Sequence, residues 1–199
     1  MEVKKIEKKE LAKVVNVHKD SFRGFFLTEL GDHFLSLYYD CVQIDEKGLL
    51  LGYYDEGELL GFCAATTLSK GFNKRLIRKN LFQFSLVGLR LLFTRIPSLV
   101  RLAKNLSKKS TTINDTGEYA ELLSIGISAK KQGLGIGKKL LIQLEKEIEL
   151  KGCTKLSLTT DYSNNDKALG FYKGMGYEIY YDFIAFPNRK MYRMIKKIN

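Results

Sequence analysis

The run Gln132-Gly133-Leu134-Gly135-Ile136-Gly137-Lys138 constrains this chain more than any other stretch. It separates an apolar, strand-like segment, Ala120 to Ile127, from an amphipathic segment that begins near Gly137 and continues KKLLIQLEKEIEL. Glycines between a strand and a helix let the backbone turn sharply and come within hydrogen-bonding distance of a ligand, with no Cβ in the way. The free amides then point outward at the positive end of the helix, where an anion, and phosphate above all, is bound. Gln132 can add amide donors and Lys138 a charge. A turn before a helix needs glycine whatever it binds, so the loop alone leaves a purely structural reading open. A P-loop is excluded, because no Gly-Lys-Ser/Thr follows at the required spacing. A dinucleotide fingerprint would put an acidic residue about 20 residues on. Asp161 falls near enough that this test does not decide.

The flanks decide. Upstream stands ELLSIGIS (Glu121 to Ser128) and downstream NDKALGFYKGMGY (Asn165 to Tyr177). The pattern Q-x-x-G-x-G together with N-x-x-A-x-x-F-Y-x-x-x-G-Y resembles the GNAT superfamily of acetyl-CoA-dependent N-acetyltransferases, closely over Tyr119 to Tyr181 and more loosely over the N-terminal third. The resemblance implies an α/β fold with a mixed, mostly antiparallel central sheet flanked by helices. It implies acetyl-CoA as cosubstrate and no metal.

The length of 199 residues suits one domain, 1–199, with a full core. A hydrophobic content of 45% excludes disorder. Cys41, Cys63 and Cys153 are odd in number and lack any C-x-x-C pair, so neither a disulfide framework nor a zinc site is supported, and each reads as a small buried apolar residue in a reducing, cytoplasmic setting. The opening MEVKKIEKKEL has no apolar run of a signal peptide.

The net charge of +11 belongs to one segment. Residues 70 to 109 carry eleven Lys or Arg and no Asp or Glu; without them, 22 basic face 22 acidic residues. Residues 70–112 read as two or three basic, apolar helices, a helical insertion between the third and fourth strands. Gly88, Arg90, Arg95 and Pro97 argue against a transmembrane span. The bland role for the insertion is a helical cap on the sheet with its arginines solvated. The sharper one is a lid over the acceptor site, facing an anionic substrate or an anionic membrane surface, with the protein cytoplasmic or peripheral to the membrane. The absence of an aromatic-basic recognition module argues against nucleic acid.

Taken in order, residues 2–6 read as a strand, Lys8 to Phe22 as a helix, and Thr28 as the cap of a second helix carrying Leu30, Phe34, Leu37, Tyr38 and Cys41 on one side. Strands Leu49 to Tyr54 and Leu59 to Thr67 form a hairpin turning at Gly57, apolar on both faces as covered central strands are. After the insertion come strand 118–127, helix 137–150 ended by Gly152, strand 155–162, helix 166–175 capped by Asn164 or Asn165, and two antiparallel strands.

Acetyl transfer to an amine needs an anchored thioester, a neutral amine and a proton for the departing thiolate. The resemblance assigns the pantetheine arm to the main chain of Ile125 and Ile127, with Gly126 as the place where a bulge is tolerated. It assigns the pyrophosphate to Gln132, Gly133, Leu134, Gly135, Ile136, Gly137 and Lys138, with Asn165 touching the cofactor. Tyr172 takes the family's general-acid position, a phenol able to protonate sulfur; its bland role is one face of a short helix. Glu121 is the candidate base, directly or through water, with Glu118 and Asp161 as substitutes. His18 and His33 read as packed or surface residues. The expected activity is transfer to a primary amine by direct attack in a ternary complex, the acceptor an amino sugar of surface-polysaccharide synthesis. Protein or peptide amines, a polyamine, and a non-catalytic acyl-CoA-binding or membrane-associated adaptor stay open.

Overall fold

A computed structural model describes residues 1–94, 97, 100, 104 and 115–198. Strands β1 (Glu2–Lys5), β2 (Gly48–Asp55), β3 (Glu58–Thr66), β4 (Ala120–Ile127), β5 (Lys155–Asp161), β6 (Glu178–Ala185) and β7 (Arg189–Lys197) form one seven-stranded sheet in the order β1-β2-β3-β4-β5-β7-β6. Every neighbouring pair is antiparallel except β4 and β5, which run parallel. The mixed, mostly antiparallel sheet is the one expected from the sequence.

Two helical layers cover it. On one face pack α1 (Leu11–Ser21), α3 (Asp32–Ile44), α4 (Phe72–Lys79) and part of α5 (Leu81–Thr94); on the other pack α6 (Ile136–Leu150) and α7 (Asp166–Gly174). The alternation of β2 and β3 feeds both layers. Leu50, Tyr54, Phe62 and Ala64 belong to the first core, while Leu49, Leu51, Tyr53, Cys63 and Ala65 belong to the second. A strand pair buried on both faces is why those segments are almost continuously apolar.

Several local expectations need correcting. The second helix is broken in two: a short α2 (Phe26–Glu29), then α3 starting after Gly31, whose φ of 86° ends the run. Thr28 does not cap; its hydroxyl donates back to Phe22 O at 2.7 Å and folds the α1–α2 connection onto α1. Asn165 stands at the N-cap of α7, as read, but without a side-chain capping bond, because its amide donates instead to Thr160 Oγ1 (2.6 Å) and Asp161 O (2.9 Å). Cys153 is half-buried, unlike Cys41 and Cys63. The α4–α5 pair accounts for residues 72–94 of the basic segment, and the expectation for the rest of 70–112 lies outside the described residues except at 97, 100 and 104. Among the described residues no helix is long and apolar enough to cross a membrane.

The start of β2 lies against the end of α3 so tightly that a Cβ on Gly48 would meet Val42 O at 1.8 Å and Asp45 O at 3.2 Å. Backbone cannot yield as a side chain does. Gly48→Ala is therefore expected to destabilise the fold by about 3 kcal/mol or more. A urea midpoint lowered at unchanged slope would show it, and a change below about 0.5 kcal/mol would contradict it.

Candidate active site

The feature that makes a site is a break in the sheet. Strands β4 and β5 are paired only at Ala120–Leu156, Glu121–Ser157 and Leu122–Leu158, and beyond Leu122 they part. The cause lies in β4. Ala65 pairs with Leu122 and Ala64 with Ser124, so Leu123 is an extra residue, a bulge that re-aims the rest of the strand. The sequence pointed to Gly126 as the bulge, and this is corrected. Gly126 keeps regular pairing with Phe62, and its lack of a Cβ serves packing: a Cβ there would come within 2.9 Å of Phe62, 3.0 Å of Ser21 and 3.1 Å of Phe22.

That close approach lets α1 hold the diverging strand. Ser21 Oγ lies 2.8 Å from Ile127 O, sharing its proton with Val17 O at 2.7 Å. The Asp20 carboxylate accepts from the Ala129 amide (2.7 Å) and the Ser128 hydroxyl (3.3 Å) just past the strand.

A cavity of about 1230 Å³ fills the gap. Of the residues singled out in the sequence, His18, Glu121, Ile125, Asp161, Asn165 and Tyr172 line it. Gln132 to Lys138 do not. They form a separate exposed shelf beyond Ile127, where the α1-tethered end of β4 leads into α6. Gly133 (φ 82°) and Gly135 (φ 74°) adopt the left-handed backbone, and a Cβ on either would point into open space. The shelf is thus an open cradle of amides at a helix N-terminus, with Lys138 exposed beside it. Gln132 reaches back to Ile127 O at 3.4 Å, Leu134 is exposed, and the Ile136 side chain is in the core, so only the backbone of Ile136 is available to a ligand. Gly137 lets α6 pass close to Ile127 and Phe171. These residues fit a diphosphate, and the unpaired edge of β4 fits an amide-bearing arm.

Tyr172 is buried at 9% exposure, with its ring against Phe171 and Tyr177. Its hydroxyl has no hydrogen-bond partner among the described residues although the side chain lines the cavity. Burial, with a smaller contribution from Cys63, pushes its pKa up to about 12, so it stays a proton donor across the neutral range.

Glu121, which also lines the cavity, sits in a network that the sequence did not reveal. One carboxylate oxygen accepts from Arg193 Nη1 at 2.5 Å and the other from the Ser69 hydroxyl. Arg193 Nη1 also lies 3.2 Å from Ser157 Oγ, so one guanidinium on β7 ties β4 to β5 at the point where they begin to part. Beneath it, Asp115 accepts from the hydroxyls of Tyr119 (2.5 Å) and Tyr181 (2.6 Å). Burial works to raise the Asp115 pKa, but these bonds and one from the Gly117 amide outweigh it and hold the carboxyl low. The two substitute bases are both paired, Asp161 with Arg189 and exposed Glu118 with Lys70. Arg189 also lies over the Phe25 ring, bridging the β6–β7 hairpin to the α1–α2 connection across the cleft. The one signal in the sequence was Arg193 itself, a cation at the centre of the strand with apolar Met191 and Ile195 two residues to either side.

Both histidines fall as read, His33 exposed and His18 packed, although His18 also lines the cavity. Its Nδ1 is 2.6 Å from the Tyr39 hydroxyl, which is 3.1 Å from Ser124 Oγ, and its Nε2 is buried without a partner among the described residues. Among the described residues no group of His, Cys, Asp and Glu could hold a metal.

Residues 11–177 match the family model "Acetyltransferase (GNAT) family". The chain belongs to this family of acetyl-CoA-dependent N-acetyltransferases. Similar solved structures include the ribosomal-protein-S18-alanine N-acetyltransferase of Escherichia coli, with a TM-score of 0.63 at 14% identity over 100% of this chain and 94% of that one. Naa20 of Chaetomium thermophilum, solved with a bisubstrate analogue, gives 0.61 at 17% over 100% and 87%. An aminoglycoside 6'-N-acetyltransferase complexed with coenzyme A gives 0.60 at 15% over 100% and 98%. Identities this low speak to the fold alone.

Burial lowers the His18 pKa from 6.5 to about 4, so the native protein holds it neutral while the unfolded chain takes up a proton below about 6.5. The stability contributed by neutral His18 is whole above that pH and lost as pH falls towards 4, up to roughly 3 kcal/mol. The melting temperature is expected to drop between pH 6.5 and 4, with a shallower drop in His18→Gln. Equal pH dependence in both proteins would contradict this assignment.

Proposed function

We propose that residues 1–199 act as one domain that transfers the acetyl group of acetyl-CoA to a primary amine by direct attack in a ternary complex. The observation that carries this reading is the parted β4–β5 edge, with the unpartnered Tyr172 hydroxyl and the Glu121 carboxylate opening onto one cavity. In this reading the diphosphate rests on the amides of Gly133 to Lys138, and the pantetheine arm pairs with the free edge of β4 at Ile125 and Ile127. The acetyl carbonyl then lies between Tyr172 and Glu121.

The amine nitrogen attacks the thioester carbon and forms the C–N bond. The nitrogen becomes strongly acidic as it does so, and a carboxylate pinned by Arg193, itself a weak base, suffices to take its proton directly or through water. As the C–S bond breaks, sulfur takes the Tyr172 proton, giving the N-acetylated product and free CoA thiol. The proton held by Glu121 returns to the phenolate through solvent.

For the acceptor, an amino sugar is the preferred class. Phe25, on the α1–α2 side of the cleft, and Tyr181 and Phe183, on the β6 side, offer apolar faces to a sugar ring, and Thr159 on β5 offers a hydroxyl partner, all of them lining the cavity. An anionic membrane surface is the proposed partner of the α4–α5 pair. Lys74 and Arg78 are exposed on α4, and Leu81, Phe82, Leu86 and Leu89 are exposed on α5, the composition of an interfacial helix pair. Lys104, 4.3 Å over the Phe186 ring, supports a reach of the basic segment to the rim of the cleft.

Thiol release from acetyl-CoA over a panel of amino sugars, peptides and polyamines, with Tyr172→Phe beside the wild type, tests this reading. The variant is expected to lose about 10²-fold or more in kcat, with the acetyl-CoA KM within a few-fold. The wild-type rate is expected to rise with pH as the amine deprotonates and to show no loss from the Tyr172 proton below about pH 10. Wild-type kcat in the variant would overturn the acid role, and tight acetyl-CoA binding with no turnover on any amine would favour a non-catalytic acyl-CoA-binding protein.

A further inference from the structure

A second cavity of about 230 Å³ adjoins the first. The two share Phe26, Leu27, Glu121, Leu123 and Thr159, so Glu121 stands at their junction. Beyond the junction the walls come from three helices and are apolar: Phe34 and Tyr38 from α3, Leu76 and Ile77 from α4, and Phe84 from α5. Asn73, exposed on α4, marks the outer end. Protein interiors pack closely and leave few voids larger than a water molecule. The apolar walls left uncovered by this groove gain contacts when an apolar group fills it. The outer end also lies on the helix pair whose solvent side carries exposed Leu81, Phe82, Leu86 and Leu89 next to Lys74 and Arg78.

We infer that this side arm takes an aliphatic chain borne by the acceptor, so that the substrate is an amphipathic primary amine with its nitrogen at Glu121 and its hydrocarbon between α3, α4 and α5. The direction of the amine rests on the acetyl-transfer reading; occupancy of the arm by a chain does not. The bulge at Leu123 serves both purposes, since the residue it throws out of register with β3 lines both cavities. An amine carried on a lipid and a free alkylamine share this chemistry. The exposed apolar strip on α5 favours the first, because a chain leaving the arm by Asn73 emerges beside a surface suited to lipid.

The test is a homologous series of n-alkylamines, from butylamine to decylamine, titrated calorimetrically into the protein saturated with CoA, with thiol release measured on acetyl-CoA in parallel. The dissociation constant is expected to tighten by about three- to fourfold per added methylene until the arm is full, and then to level. Ile77→Trp, which fills the arm, is expected to abolish the dependence on chain length. Phe84→Ala, which lengthens the arm, is expected to move the plateau to longer chains, and it keeps the idea testable if the tryptophan variant does not fold. Affinities independent of chain length in the wild type would overturn the inference. Chain-length dependence with no thiol release would keep the arm and remove the acetyl-transfer reading, and turnover without chain-length dependence would do the reverse. Decylamine incorporated in phosphatidylglycerol vesicles and turned over faster than the free amine would point to the lipid source; equal rates would point to the soluble amine.

Discussion

The separation of β4 from β5 is the constraint on which the rest of the molecule depends. Adjacent parallel strands normally stay paired, because each unpaired amide or carbonyl left without water costs about as much as a lost hydrogen bond. Here pairing stops after Leu122 and Leu158. Three devices hold the gap. The extra residue Leu123 turns the strand, β3 keeps its hold on Ser124 to Ile127, and α1 ties Ile127 through Ser21 and Ala129 through Asp20. The N-terminal helix is therefore part of the site's frame, and Gly126 is the small residue that lets it come close. An edge that the fold declines to pair is a template for a ligand that carries its own amides, as pantetheine does.

At the closed end of the gap the same economy appears in charge. Arg193 and Glu121 are largely buried, at 14% and 16% side-chain exposure, and an ion pair there gains little over an apolar pair of the same volume once desolvation is counted. Its worth lies in fixing a carboxylate at the mouth of two cavities while Arg193 also holds Ser157, the partner of Glu121 one rung before the strands part. Asp115, with Tyr119 and Tyr181, packs this corner from below. Removing one member would strand a buried charge at a cost of about 3–5 kcal/mol, so the corner is rigid as well as polar.

Much of the architecture was legible in the residues. The two-faced apolar runs of Leu49 to Tyr54 and Leu59 to Thr67 announced covered strands, and the glycines of 133 to 137 announced the cradle, because both follow from local chemistry. What stayed hidden depends on distance. Nothing near Arg193 tells that its partner is Glu121, nor does anything near His18 name Tyr39 and Ser124. The bulge fell on Leu123 and not on Gly126, since register is set by the match between strands and glycine marks close approach as readily as irregularity. Thr28 looked like a cap because its neighbours are helical, but the nearer acceptor, Phe22 O, took its proton. The side arm is a property of three helices packed around a space, and no single segment encodes it.

The most direct measurement is amide hydrogen exchange with and without acetyl-CoA. New protection is expected in two separate stretches, the amides of 123–127 that β3 leaves free and those of 133–138 at the start of α6, with little change in β1 or β2. Protection confined to the α6 cradle, with the β4 edge exchanging as before, would contradict the claim that the parted strands hold the thioester.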